Sequence, residues 1–134
     1  MAIRIKKDNA EFGVGDTVAV SQKVVESGKE RLQEFEGLVI SIKGRDKGKT
    51  FTVRRIGVQK IGIERIFPLD SSVIEKVVVV KIGSRGIRRA KLYYTREQSR
   101  KEIERIYTRN KRDRSKEKTK PATKSKKKTK KTPK

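Results

Sequence analysis

From Arg109 to the C-terminus the chain runs 26 residues without one Val, Ile, Leu, Phe or Tyr, and with 14 Lys or Arg against two acids. A segment with nothing apolar to bury cannot offset the entropy lost on ordering, so the tail 109–134 is expected to be disordered when alone and to order only on a polyanion. Any core must therefore come from residues 1–108, which leaves room for one small domain. That stretch carries a net charge of +10, and the tail adds +12 to give +22. Such a surface repels itself unless something negative neutralises it. Nucleic acid is the first candidate, and an anionic membrane surface the second. No apolar run approaches the roughly 20 residues needed to span a bilayer. The opening "MAIRIKKDNAEF" lacks the apolar stretch of a secretory signal. With no Cys, there is neither a disulfide framework nor a thiolate metal site.

Short alternating runs dominate residues 12–94. In "FGVGDTVAVSQKVV" a turn leads into a strand with Val18 and Val20 on one face and Thr17, Ala19 and Ser21 on the other. Residues 26–33, "ESGKERLQ", read as a charged loop. "FEGLVISIKG" gives a second strand, with Gly37 marking a bulge or a close backbone crossing. After the polar loop "GRDKGK", "TFTVRRI" and "IGIERIF" supply two more strands, with an irregularity expected at Arg55–Ile56. Pro68 and "DSS" end the second of these. "VIEKVVVVKI" is β-branched throughout and predicts the most buried strand. "IRRAKLYY" predicts a last strand, with Arg89, Lys91 and Tyr93 on one face and Ala90, Leu92 and Tyr94 on the other. Five or six such strands with small polar loops predict a mainly β fold, a closed or half-closed barrel that leaves no edge to aggregate.

Past Tyr94 the period lengthens. Thr95 with Gln98 fits a capping box, and Ile103, Ile106 and Tyr107 fall at helical spacing, predicting one short helix over 95–108. Tyr107 is expected to pack that helix onto the barrel. The chain then divides into a short N-terminal extension (1–11), the barrel (12–94), the helix (95–108) and the Lys-rich tail (109–134).

Catalysis has no visible apparatus. The chain has no His and no Cys, which removes the usual general base, thiol nucleophile and transition-metal ligands. Glu34 and Glu36 read as part of a solvated face. "GVG" and "GRDKGKT" lack the spacing of a phosphate loop. No catalytic residue, metal site, cofactor or small-molecule substrate is expected. The basic residues are more informative. The row Arg89, Lys91 and Tyr93 pairs cations with an aromatic ring, which suits RNA phosphates and bases. Arg85 and Arg88 precede it, and Arg96 and Arg100 follow. No acid lies between Glu75 and Glu97 to offset these charges. Arg54, Arg55, Lys60 and Arg65 form a second basic set, in which Arg65 could instead pair with a carboxylate across the barrel.

The segments "KVVESGKERLQEFEGLVISIKG", "TFTVRRI", "IGIERIFPLDSS" and "RGIRRAKLYYTR" occur in collinear order and resemble the bacterial large-subunit ribosomal proteins numbered nineteen. The resemblance covers about Gly13 to Arg96. It implies an SH3-like β-barrel bound to large-subunit ribosomal RNA (rRNA) in the cytoplasm, at the junction with the small subunit. Small-subunit rRNA and neighbouring ribosomal proteins would be further partners. The chain departs from the family in lacking a full N-terminal helix and in reading Asp70-Ser71-Ser72 where His-Ser-Pro is usual. The alternative is a free barrel-type factor of the KOW kind, acting in transcription or nucleoid organisation. A peptide-binding groove would need clustered exposed aromatics. The chain has no Trp and only seven Phe and Tyr.

Overall fold

Period-two alternation is realised as strands along most of the first 81 residues. The computed structural model describes residues 3–119, with all side chains except those of Arg85, Asn110 and 113–119. The strands are β1 (Arg4–Lys7), β2 (Ala10–Gly13), β3 (Thr17–Glu26), β4 (Lys29–Lys43), β5 (Thr50–Ile56), β6 (Gly62–Pro68) and β7 (Ile74–Lys81), followed by helix α1 (Arg100–Thr119). β1 and β2 form a separate hairpin, and the others make one antiparallel sheet in the order β6-β5-β4-β3-β7. The fold is thus mainly β with one helix. No ladder joins β6 to β7 among the described residues, so hydrogen-bonded strands do not close the expected barrel.

Aromatic packing joins the hairpin to the sheet. All four phenylalanines are buried. Phe12 of β2 meets Phe51 of β5 edge-on at 5.1 Å, Phe51 stacks on Phe67 of β6 at 5.5 Å, and Phe67 reaches Phe35 of β4 at 5.9 Å. Each buried ring contributes about 1.5–3 kcal/mol by leaving water, and each such pairing about 0.5–1.5 kcal/mol more. Val18, Val20, Val39, Ile40 and Val53 fill the space around them.

Several expectations need correction. Residues 26–33 are mostly strand, because Ser27 (φ 51°) and Gly28 (φ 76°) form a two-residue turn with both central residues left-handed, the geometry that suits a tight hairpin. β3 and β4 therefore pair from Thr17↔Leu38 out to Glu26↔Lys29 as a long arm. The bulge lies at Ile40, between Val39 and Ser41, and β5 pairs regularly with β6 through Arg55 and Ile56. Gly37 does mark a close crossing: a Cβ there would stand 2.5 Å from the Arg54 carbonyl oxygen. β7 is an edge strand and not the most buried one, with Val78 and Val80 exposed. β-Branched composition suits a pleated surface and does not by itself decide burial. The N-terminal extension is largely hairpin, and Lys7 Nζ donates to the carbonyls of Leu69 and Ser71.

One buried carboxylate draws these parts together. Asp16, 1% exposed, accepts the Gly13 N–H on Oδ2 (2.9 Å) and the Gly83 and Ser84 N–H groups on Oδ1 (both 2.8 Å). Its own carbonyl accepts the Val39 N–H at 2.9 Å. The backbones meet so closely that a Cβ on Gly83 would lie 2.3 Å from the Gly15 carbonyl oxygen, and Gly15 itself has φ 93°. Asp16→Asn removes the charge and turns one acceptor into a donor facing an N–H. We expect a loss of about 3 kcal/mol, read as a lower urea midpoint with unchanged slope, given about 1.5–3 kcal/mol for each hydrogen bond to a charged group. An unshifted midpoint would rule out the clamp as a determinant of stability.

Candidate nucleic-acid interface

After β7 the chain does not form a sixth strand. Residues Ser84–Gly86 and Tyr93–Arg96 are single 3-10 turns, and between them only Leu92 bonds back to the sheet among the described residues, its N–H donating to the Ile40 carbonyl at 2.8 Å. That carbonyl sits at the β4 bulge, and one such bond cannot sustain a ladder. Leu92 is fully buried and serves as a plug, while Arg88, Arg89, Ala90 and Lys91 loop outward and are exposed. The expected two-faced row is therefore not formed, and Ala90 is not a core residue.

The helix starts later than predicted. Thr95 is buried with its hydroxyl donating to the Leu92 carbonyl at 2.6 Å, so it cannot cap. The capping box is Ser99-x-x-Glu102: Glu102 Oε2 accepts the Ser99 N–H at 2.9 Å. α1 continues to Thr119, since Lys, Arg and Glu are good helix formers even with nothing to bury. Residues 120–134 of the expected tail lie outside the described residues. Tyr107 holds the helix down as expected, half-buried against Gly83, its hydroxyl hydrogen-bonded to that of Thr17. Burial pushes its phenol pKa up, against the Thr17 hydrogen bond, which pulls it down.

The predicted basic residues separate into three groups. Arg54 and Arg96 converge on Glu64: Arg54 Nη1 donates to Oε1 at 3.0 Å, and Arg96 donates from Nε to Oε1 (2.7 Å) and from Nη2 to Oε2 (2.9 Å). The Arg96 hydrogen bond, foremost, holds the Glu64 carboxyl below its ordinary range. This trio braces β5 and β6 to the turn before the helix. On the opposite face of the same strands, Arg55 and Arg65 lie over the Phe35 ring at 4.9 and 5.4 Å, and Arg65 also over Phe67 at 5.7 Å. Arg65 thus stacks on aromatic rings and makes no ion pair with a carboxylate among the described residues. Arg88, Arg89 and Lys91 make no ion pair there either. Arg89 lies 5.3 Å over Tyr94. Tyr93 is half-buried between Lys43 (5.9 Å) and Arg96 (4.8 Å), and its phenol is lowered foremost by Ser41 and then by Lys43. Lys60 occupies the β5–β6 turn, Arg100 opens the helix, and the Arg85 side chain lies outside the described residues.

Two of the clefts along helix α1 are rimmed by arginines. One, of about 800 Å³, gathers Arg54, Arg55, Lys60, Arg96 and Arg100 with Glu36 and Glu104. The other, of about 430 Å³, is lined by Arg88, Arg89, Arg105 and Arg109 around Tyr94 and Ile106. Arg109 was missed because the predicted helix stopped at 108, and Arg105, inside that helix, was not singled out among its charged residues. Their i, i+4 spacing is the signal that would have found them. No cluster of metal-ligating residues is present among the described residues.

The described residues form a small basic β domain whose clefts are lined by exposed cations. Residues 1–109 match the family model of ribosomal protein L19. Proteins named large ribosomal subunit protein bL19 are similar across most of their length. That of Kosmotoga olearia is 59% identical over 92 residues, covering 69% of this chain and 78% of the relative. That of Thermosipho melanesiensis is 59% identical over 90 residues (67% and 76%), and that of Wolinella succinogenes 47% over 93 (69% and 77%). The chain belongs to the ribosomal protein L19 family, whose role is structural and not enzymatic.

The Glu64 brace has a pH signature. Its folded pKa is depressed, so its stabilisation is present above the ordinary carboxylate pKa of 4.5 and is lost as pH falls through the lower folded value. Comparing the wild type with Glu64→Gln, the stability gap is expected to be full at pH 7 and to close on acidification below 4.5. A gap independent of pH, followed by chemical denaturation, would contradict the brace.

Proposed function

We propose that the chain, a structural constituent of the large ribosomal subunit in cytoplasmic ribosomes, binds rRNA through the cations flanking α1. The observation that carries this is the exposed set Arg88, Arg89 and Lys91, which no acid offsets among the described residues. Arg100 adds to it, since a cation in the first helical turn opposes the helix dipole and gains more from an external anion than from the helix. Recognition is of phosphate and shape. Arg54 and Arg96 contribute less than their charge suggests, because Glu64 offsets one of the two. We read the fold as an SH3-like barrel left half open, a reading supported by the bulged β4 and by the phenylalanine chain that wraps the hairpin onto the sheet.

We place the chain at the junction with the small subunit. Cations on both faces of β5–β6, Arg54 on one and Arg55 and Arg65 on the other, support a position between two RNA surfaces. Neighbouring ribosomal proteins would complete the site.

Neutralising six to ten phosphates should weaken rRNA binding on the order of 10³–10⁵-fold between 50 and 200 mM salt. Arg88→Ala with Arg89→Ala is expected to lower incorporation into large subunits while far-UV circular dichroism stays unchanged. Normal stoichiometry of the double variant on salt-washed subunits would exclude these two residues. Arg65→Ala, which removes a cation outside both clefts, should leave incorporation intact and reduce the fraction of joined ribosomes in a sucrose gradient. An unchanged joined fraction would remove the junction assignment.

A further inference from the structure

The smaller cleft beside α1 differs from a plain phosphate-binding surface in its lining. Arg88, Arg89, Arg105 and Arg109 rim it, yet it also contains Glu102. No Lys or Arg lies within ion-pair distance of that carboxylate among the described residues. Its Oε2 is occupied by the Ser99 N–H and hydroxyl (2.9 and 3.3 Å), and its Oε1 makes no hydrogen bond there. Gln98, half-buried, and the apolar Ile106 line the same cleft, and Tyr94 with Arg89 stacked at 5.3 Å offers it a flat wall.

Each feature selects a ligand. Rim cations want phosphate. A guanidinium stacked on an aromatic ring offers a plane on which a base can lie. A carboxylate acceptor repels phosphate and wants N–H donors. Of the four bases, guanine alone presents two adjacent donors, N1–H and N2–H₂, beside an acceptor, O6, on its pairing edge. An acidic peptide would meet Glu102 unfavourably, and a paired duplex keeps its pairing edges out of reach. From this geometry we infer that the cleft receives one unpaired guanine nucleotide of the bound RNA. Its base stacks on Arg89, its N–H groups face Glu102 Oε1, its O6 faces Gln98, and its flanking phosphates lie on Arg105 and Arg109. The inference rests on RNA being the ligand and adds what part of it this cleft reads.

Glu102→Gln makes the test sharp, because Gln also completes a capping box and so keeps the helix start. The full chain is titrated at fixed salt against RNA hairpins of one stem sequence, fully paired or carrying a single unpaired G, A, C or U, with binding followed by fluorescence anisotropy. The unpaired-G hairpin should bind about tenfold more tightly than the other four, the scale of a bidentate base contact. Glu102→Gln should abolish that preference while fully paired RNA binds as well or better, since a negative charge is gone. A merely electrostatic role for Glu102 would raise all five affinities together and leave the ratio intact. Arg105→Ala with Arg109→Ala should weaken all five. Equal wild-type affinity for the five RNAs, a G preference that survives Glu102→Gln, or displacement of the RNA by a polyglutamate peptide would each overturn the inference. Failure of every RNA to bind would instead bring down the rRNA-binding reading beneath it.

Discussion

The Asp16 carboxylate is the tie on which the rest of the molecule hangs. It takes one backbone N–H group from Gly13 nearby and two from the distant turn at Gly83 and Ser84, and is almost fully out of water. A buried charge is tolerated only when hydrogen bonds replace its hydration, and here the donors are main-chain groups that would themselves be costly to leave unpaired. The arrangement is mutual: the turn at 83–84 keeps its shape because the carboxylate is there, and the carboxylate is stable because the turn supplies its donors. Gly83 then forms the floor on which Tyr107 rests, so the position of α1 follows from a contact made by residue 16.

That position decides what the cations can do. With α1 seated over Gly83, the 88–94 segment is left outside the sheet, pinned by Leu92 and by Tyr93 against Ser41 and Lys43, and its arginines face those of the helix across a cleft. On the helix's other flank the acid Glu64 organises Arg54 and Arg96 into a brace. The same residue type thus serves two ends. Where a carboxylate is within reach, arginine ties elements together. Where none is, arginine stays hydrated and available.

Much of this was legible from sequence, for identifiable reasons. The mainly β content followed from alternation in β3, β5 and β6, and the close approach at Gly37 from a lone glycine before an apolar run. The basic stretch 85–96 stood out because no acid lies between Glu75 and Glu97. What could not be read lay in contacts between distant residues. Glu64 is 32 positions from Arg96, and nothing local marks Asp16 as the acceptor for Gly83 and Ser84. "IRRAKLYY" has the composition of a strand, but of residues 87–92 only Leu92 bonds back to the sheet among the described residues, at the Ile40 carbonyl of the bulge. The helix boundary was misjudged between two adjacent capping signatures, and burial of Thr95 decided it for Ser99.

The contrast between braced and free cations also explains how so basic a chain can fold. Two unit charges about 8 Å apart in water repel by roughly 0.5 kcal/mol, and physiological salt reduces that further. Arginines gathered around an exposed cleft therefore cost the fold little, whereas the same cations buried without partners would cost several kcal/mol each. Exposure keeps Arg88, Arg89, Arg105 and Arg109 compatible with folding. It also leaves them free to displace the condensed counterions of an arriving polyanion. The only acids required inside the fold are those that position something: Asp16 for the turns and Glu64 for the sheet-to-helix brace. Glu102 joins them at the start of α1. It differs from the other two in keeping one oxygen free toward a cleft lined with positive charge.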